Sequence, residues 1–233
     1  MRCIGLLGGM SWESTAIYYR LINEAVRDRL GGHHSARLLL HSVDFHAIKG
    51  LQHEGDWPGT ARILGEAARG LKAGGADFLV IATNTMHKVA GEIEVASGLE
   101  VLHIADPTGA ALAADGVTRV ALLGTRFTME EDFYRRRLED RFGLEVRVPE
   151  AEERDAIHRI IYDELCLGVV RAESADTYRG IIAAMKAGGA EAVILGCTEI
   201  TMLVDAASSP LPVYDTTRLH AEAAVARATA DVV

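Results

Sequence analysis

Two segments of the chain are near copies. KAGGADFLVIATNT begins at Lys72 and KAGGAEAVILGCTE begins at Lys186, an offset of 186 − 72 = 114 that holds without a gap. The alignment sets Thr83 opposite Cys197. Two such groups on opposite faces of one carbon have the geometry for taking a proton from one side and returning one on the other. A thiolate is a competent base, but its reference pKa of ~8.5 must be lowered for use near neutral pH. A helix N-terminus directly after Cys197 is the expected source of that lowering. A threonine hydroxyl is too weak an acid to supply an alkoxide. Thr83 is therefore expected to relay a proton or position a water.

Other polar groups are expected at the same strand ends. In open α/β sheets, ligands sit beyond the carboxyl ends of strands, where N–H groups are left unpaired. Asn84 and Thr85 follow Thr83, and Thr198 and Glu199 follow Cys197. Gly8-Gly9-Met10-Ser11 and Gly124-Thr125 occupy two further strand ends. The glycine-rich turns would hold an α-carboxylate and absorb carbanion charge. Thr128 joins the binding set and also forms a capping-box pattern with Glu131. Helix capping uses the same N–H geometry as binding at Thr83, Asn84 and Thr85.

This chemistry needs no metal and no pyridoxal, and none is expected. GLLGGMS is neither GxGxxG nor a Walker A sequence, and no lysine stands beside a phosphate-cradling loop. Nine histidines provide no H-x-x-x-H pair with a third ligand. His87, four residues after Thr83, falls either in the site or on the surface. Cys3, Cys166 and Cys197 are an odd number without close spacing, which argues for reduced thiols in a cytoplasmic setting.

The elements that must position these residues follow from hydrophobic patterning. Short apolar runs alternate with amphipathic segments, the pattern of βα units around a parallel sheet. Strands are predicted at 3–8, 37–45, 78–83 and 101–106, with a helix capped by Ser11 and another over 58–75. From Arg119 the order restarts. RVALLGT echoes CIGLLGG, a helix spans MEEDFYRRRLEDRFG, and LEVRVP, two helices, AVILGC and LPVYD follow. Asp106 in HIADPT matches Asp215 in PVYDTT, both expected to cap helices. Arg135, Arg136 and Arg137 sit among acids and suit a helix surface with i,i+4 pairs. The expectation is an α/β protein of two pseudo-symmetric halves, 1–112 and 113–215, each with a mainly parallel sheet, and a ligand cleft between them. The C-terminal helix, 216–233, would pack back on the first half.

Composition sets the bounds. Hydrophobic residues make up 49% and charged residues 24%, enough apolar material for two cores. The formal charge, 24 − 33 = −9, with the one arginine run set among acids, makes nucleic acid a poor partner. No segment approaches the ~20 apolar residues of a membrane helix, so no membrane partner is expected. MRCIGLLGGMSWES lacks an A-x-A site and reads as a first strand.

IATNTMHK and ILGCTEI, with CIGLLGGMSWEST and the late D-T-T, resemble the signature segments of the aspartate/glutamate racemase superfamily across essentially the whole chain. The match is to the bacterial amino-acid racemase branch with threonine in place of the first cysteine. The resemblance implies a cofactor-independent racemase of aspartate or glutamate, acting as a homodimer. Cys197 would take the α-proton of the L form, and Thr83 or a water would return it. Some members carry an arginine in the loop after the second strand and a lysine before the second-half helix pair. The nearest positions here are Gln52 and Cys166, which widens the range of acceptable side chains. The alternatives are a single-cysteine decarboxylase of the same superfamily and a non-catalytic amino-acid-binding protein.

Overall fold

The structure, a computed structural model, describes residues 1–232. Chain contacts divide it into two compact units, Met1–His103 with His220–Val233, and Ile104–Leu219.

The first unit holds β1 (Ile4–Gly8), α1 (Trp12–Leu30), β2 (Leu38–Ser42), α2 (Phe45–Glu54), α3 (Trp57–Ala73), β3 (Phe78–Ile81) and α4 (Ala90–Ser97). Its sheet has the order β2-β1-β3, all parallel. Successive side chains on a strand face opposite ways, and the continuous apolar runs fill both faces. Ile4, Leu6, Phe78 and Val80 pack with Tyr18, Ile22 and Val26 of α1 and with Ala221, Ala224, Val225 and Ala228. Leu7, Leu79 and Ile81 face the other way, onto Leu64, Ala68 and Leu71 of α3 and Ile93 of α4. The residues at 221, 224, 225 and 228 are one helical stripe on the last helix, α10 (Thr216–Thr229).

The second unit holds α5 (Ala105–Ala114), β4 (Arg119–Gly124), α6 (Arg126–Glu130), α7 (Asp132–Phe142), β5 (Glu145–Arg147), α8 (Ala151–Asp163), α9 (Ala172–Ala187), β6 (Ala192–Gly196) and β7 (Val213–Asp215). Its sheet has the order β5-β4-β6-β7, again parallel. Val120, Leu122, Ala192 and Ile194 form one buried face with Leu112 of α5 and Tyr134 and Leu138 of α7.

The repeat in the sequence is a repeat in hydrogen bonding. Ile4 pairs with Phe78, and Val120 pairs with Ala192. In each KAGGA turn the second glycine has a left-handed φ, +99° at Gly75 and +96° at Gly189, a conformation that favours glycine. The Ala76 N–H then donates to Leu71 O and the Ala190 N–H to Met185 O, both at 3.0 Å. The acids that follow also match: Asp77 accepts from Cys3 N, and Glu191 from Arg119 N.

Four expectations are corrected. Residues 43–54 are not a strand end and loop: Asp44 caps α2 by accepting from His46 N at 3.0 Å, and Gly55 closes it in the left-handed region. Residues 101–106 are not a strand. Only the bridge between Leu79 and Val101 forms, because Ile104 and Ala105 turn away into the core of the second unit and begin α5. That packing carries α5 into the second unit, so the division falls after His103 and not after residue 112. Thr128 and Glu131 form no capping box. Thr125 caps α6 by accepting from Thr128 N at 3.3 Å, and the capping box of this unit joins Glu150 to Glu153 at the start of α8.

Asp215 does cap, accepting from Thr217 N at 2.9 Å. Asp106 instead takes Arg137 Nε at 2.6 Å and Arg141 Nη1 at 2.7 Å, which ties α5 to α7. Of the arginine run, Arg136 pairs with Asp132 at i,i+4 as the spacing requires.

Candidate active site

Cys197 lies one residue beyond β6, and Thr83 two residues beyond β3. Both are half-buried, while the residues flanking them are buried: Ala82, Asn84 and Thr85 on one side, Thr198 and Glu199 on the other. The duplicated strand ends thus each expose one side chain from an otherwise closed turn. Close approach of the strands below supports this geometry: a Cβ on Gly124 would sit 2.9 Å from Gly196 O, so glycine permits β4 and β6 to meet beside Cys197.

The thiol has a defined partner. Cys197 Sγ donates to Glu199 Oε2 at 3.0 Å, and Glu199 is only 5% exposed. The expected lowering of the thiol is reversed. Burial pushes Cys197 well above the ordinary thiol range, and the Glu199 carboxylate and Cys166 push it further. No regular helix follows Cys197; Thr198–Met202 is a single 3-10 turn, too short to sum a strong dipole. One backbone N–H, that of Glu199, works in the opposite sense and favours the thiolate. The resting group is therefore a thiol poised to give a proton. Tyr162 and Tyr178 border the same pocket of charge, and their phenols are raised by burial and then by Cys197.

The remaining expected residues fall into distinct roles. Cys166 sits in the 3-10 turn Leu165–Leu167 and is half-buried near Cys197. Thr198 Oγ1 shares a 2.8 Å hydrogen bond with Thr217 Oγ1, and Thr125 Oγ1 one of 3.2 Å with Thr128 Oγ1. These hydroxyls brace the turns around β4 and β6. In the first unit, Ser11 Oγ caps α1 by accepting from Ser14 N at 3.2 Å. The Gly9 N–H, expected to face a carboxylate, is already donated to Thr15 Oγ1 at 2.8 Å. Met10 is buried in the core with Ile48 and Leu64. Gln52 is on α2, not in a loop; it is buried, and its Oε1 has no hydrogen-bond partner among the described residues. Such an atom costs free energy unless a donor arrives. Asn84 and Thr85 are buried at the start of the turn Thr85–Val89.

Sequence reasoning left His87 undecided between site and surface. It is buried, with Nδ1 2.9 Å from Thr83 O. Its i+4 spacing from Thr83 was the available signal.

A cavity of about 670 Å³ opens in the second unit, lined by Leu195, Thr201, Val204, Tyr214, Asp215 and Arg218 among others. Cys197, Thr198 and Glu199 do not line it.

The sequence matches the Asp/Glu/Hydantoin racemase family model over residues 7–224. Among solved structures, it is similar to a candidate Asp/Glu racemase from Yersinia pestis, with 52% identity, a TM-score of 0.91, and 98% of this chain and 99% of that one covered. An aspartate racemase homologue from Pyrococcus horikoshii shares 33% identity with a TM-score of 0.84, covering 98% of this chain and all (100%) of that one. The aspartate racemase of Picrophilus torridus, at 19% identity and a TM-score of 0.78 over 98% of this chain and 94% of that one, shares the fold. With a match spanning most of its length and a relative above half identity, the chain belongs to the Asp/Glu/Hydantoin racemase family.

Proposed function

We propose that the protein racemises a small amino acid, aspartate or glutamate foremost, without pyridoxal phosphate. Cys197 exchanges the α-proton on one face, and Thr83, directly or through a water, serves the other. The observation that carries this reading is the Cys197–Glu199 pair at the end of β6, with Sγ 3.0 Å from a buried carboxylate. For the L form, the Cys197 proton passes to Glu199, the thiolate takes the α-proton, and the carbanion is reprotonated from the Thr83 side. For the D form the steps reverse. The water at Thr83, left as hydroxide once it has given up its proton, takes the α-proton. The Cys197 thiol gives its proton to the carbanion, and the thiolate recovers a proton from Glu199. The bound substrate's ammonium group favours the first transfer where its positive charge lies nearer Cys197 Sγ than the Glu199 carboxylate, because it then stabilises the thiolate.

Thr83 cannot match a thiol as an acid or base, so turnover is slower than with two thiols. The equilibrium is nevertheless symmetric, because enantiomers have equal free energy, and kcat/KM must be equal in both directions. Gln52 Oε1, buried without a partner, suits an N–H donor of the substrate and not its side-chain carboxylate. This favours tolerance of other side chains over strict selection of a diacid. Assembly as a homodimer in the cytoplasm completes the reading, and sedimentation tests the assembly.

Proton NMR of L-glutamate and L-aspartate in D2O, with the wild-type chain and with Cys197→Ser, tests the mechanism. Loss of the α-proton signal with the wild type, abolished in the variant and accompanied by the D form, is the expected result. Release of CO2 from a substituted malonate without α-proton exchange would move the assignment to a decarboxylase. Ligand binding with neither reaction would make it a binding protein.

A further inference from the structure

After the first repeated strand, residues 83–87 hold no thiol but include a histidine, where residues 197–201 begin with the thiol and end in a threonine. His87 aligns with Thr201, since 87 + 114 = 201. Both residues pin the turn after their strand. Thr201 Oγ1 donates to Thr198 O at 2.8 Å. His87 Nδ1 lies 3.3 Å from Asn84 O, the equivalent carbonyl, and 2.9 Å from Thr83 O. Both partners are carbonyl oxygens, so Nδ1 carries a proton and donates it. A threonine therefore suffices to close this turn. The imidazole adds a second hold, on the carbonyl of Thr83 itself.

The ring is backed by a buried aromatic cluster within the first unit. Its centroid is 4.6 Å from that of His103 and 5.7 Å from that of His220. His220 Nε2 is 2.7 Å from Leu102 O and so donates, which leaves Nδ1 to accept from Tyr18 Oη at 2.8 Å. Tyr18 and His220 are fully buried at 0% exposure. On the other side, Ser14 Oγ donates to Ala82 O at 3.1 Å. Consecutive carbonyls at 82, 83 and 84 are thus each held by a side chain. Held carbonyls fix the peptide planes, and with them the direction of the Thr83 side chain.

We propose that His87 is a positioning residue for the Thr83 face: through the Thr83 carbonyl, braced by His103, His220 and Tyr18, it fixes the hydroxyl and the Asn84–Thr85 turn for proton return. This rests on the racemase reading. A hydroxyl or water that must deliver a proton without a low pKa depends on orientation more than a thiolate does.

The test compares His87→Asn, whose Nδ2 can donate near the position of Nδ1, with His87→Leu, which cannot donate. The expected result is kcat within about threefold of wild type for His87→Asn and at least about tenfold lower for His87→Leu, with KM little changed in either. In 1H–15N spectra, the amides of Thr83, Asn84 and Thr85 should move in His87→Leu and stay in His87→Asn. Equal kcat in all three proteins overturns the proposal, as does a folded His87→Asn that is as slow as His87→Leu. The amide shifts separate the two readings. If the wild type races no amino acid yet the shifts follow the donor, the racemase reading fails and the positioning contact stands. If His87→Leu does not fold, the wild-type His87 nitrogen shifts decide: an unprotonated Nδ1 refutes the contact.

Discussion

Glu199→Gln separates the charge of Glu199 from its shape. The substitution keeps the volume and removes a negative charge whose oxygen lies 3.0 Å from Cys197 Sγ. Burial is the first cause of the raised thiol and is untouched, whereas the Glu199 charge, the second cause, is deleted. Unit charges about 4 Å apart interact by about 4 kcal/mol at the effective dielectric of ~20 that suits protein sites. Relaxation of the pocket takes part of this, but even about 1.4 kcal/mol is a tenfold change in thiolate fraction. The Gln amide can also donate to a thiolate where the carboxylate could only accept from a thiol. Alkylation by iodoacetamide at pH 7 reads that fraction directly, with Cys197→Ser as the blank for Cys3 and Cys166. Cys197 should react at least about tenfold faster in Glu199→Gln. The pH profile of α-proton exchange should shift to lower pH. Alkylation unchanged or slower would refute the reasoning, because the carboxylate would then not be opposing the thiolate.

Three further outcomes follow from the fold. Gly9→Ala should destabilise the protein by at least about 2 kcal/mol in urea unfolding, because φ is +91° and a Cβ would collide with the Val43 backbone. Asp106→Ala should cost about 1 kcal/mol, less at high salt, because the carboxylate and its arginines are partly exposed. Glu191 is held down at about 2 by the Arg119 and Thr118 N–H groups, below the unfolded value of about 4.3. Its stabilising effect is therefore complete above the unfolded value and fades as pH falls toward about 2, a dependence that Glu191→Gln should remove from an acid-unfolding series.

The relation of sequence to structure differs from element to element. The KAGGA copies were legible because a left-handed glycine and the following apolar run are local requirements, and the same hydrogen bonds recur in both units. The capping serine at 11 was legible for the same reason. Helix α2 was missed although Asp44 and Gly55 mark its ends, because Val43 and Phe45 extend the apolar strand pattern into its first residue. Residues 101–106 have the composition of a strand, but whether a strand forms depends on a partner edge. There only one bridge is made.

Local sequence alone determined the order of βα units, their duplication, and which residues stand at the strand ends. Tertiary structure decided the chemistry of those residues. The Cys197 thiol was expected to be lowered by a helix, yet it is raised by burial and by a carboxylate two residues away. The Gly9 N–H, expected to be open, is taken by Thr15. His87, left undecided, is buried against the rings of His103 and His220. Propensity and capping act over a few residues and can be read along the chain. Desolvation and hydrogen-bond competition depend on what the folded chain brings within a few ångströms, and a sequence does not state that distance.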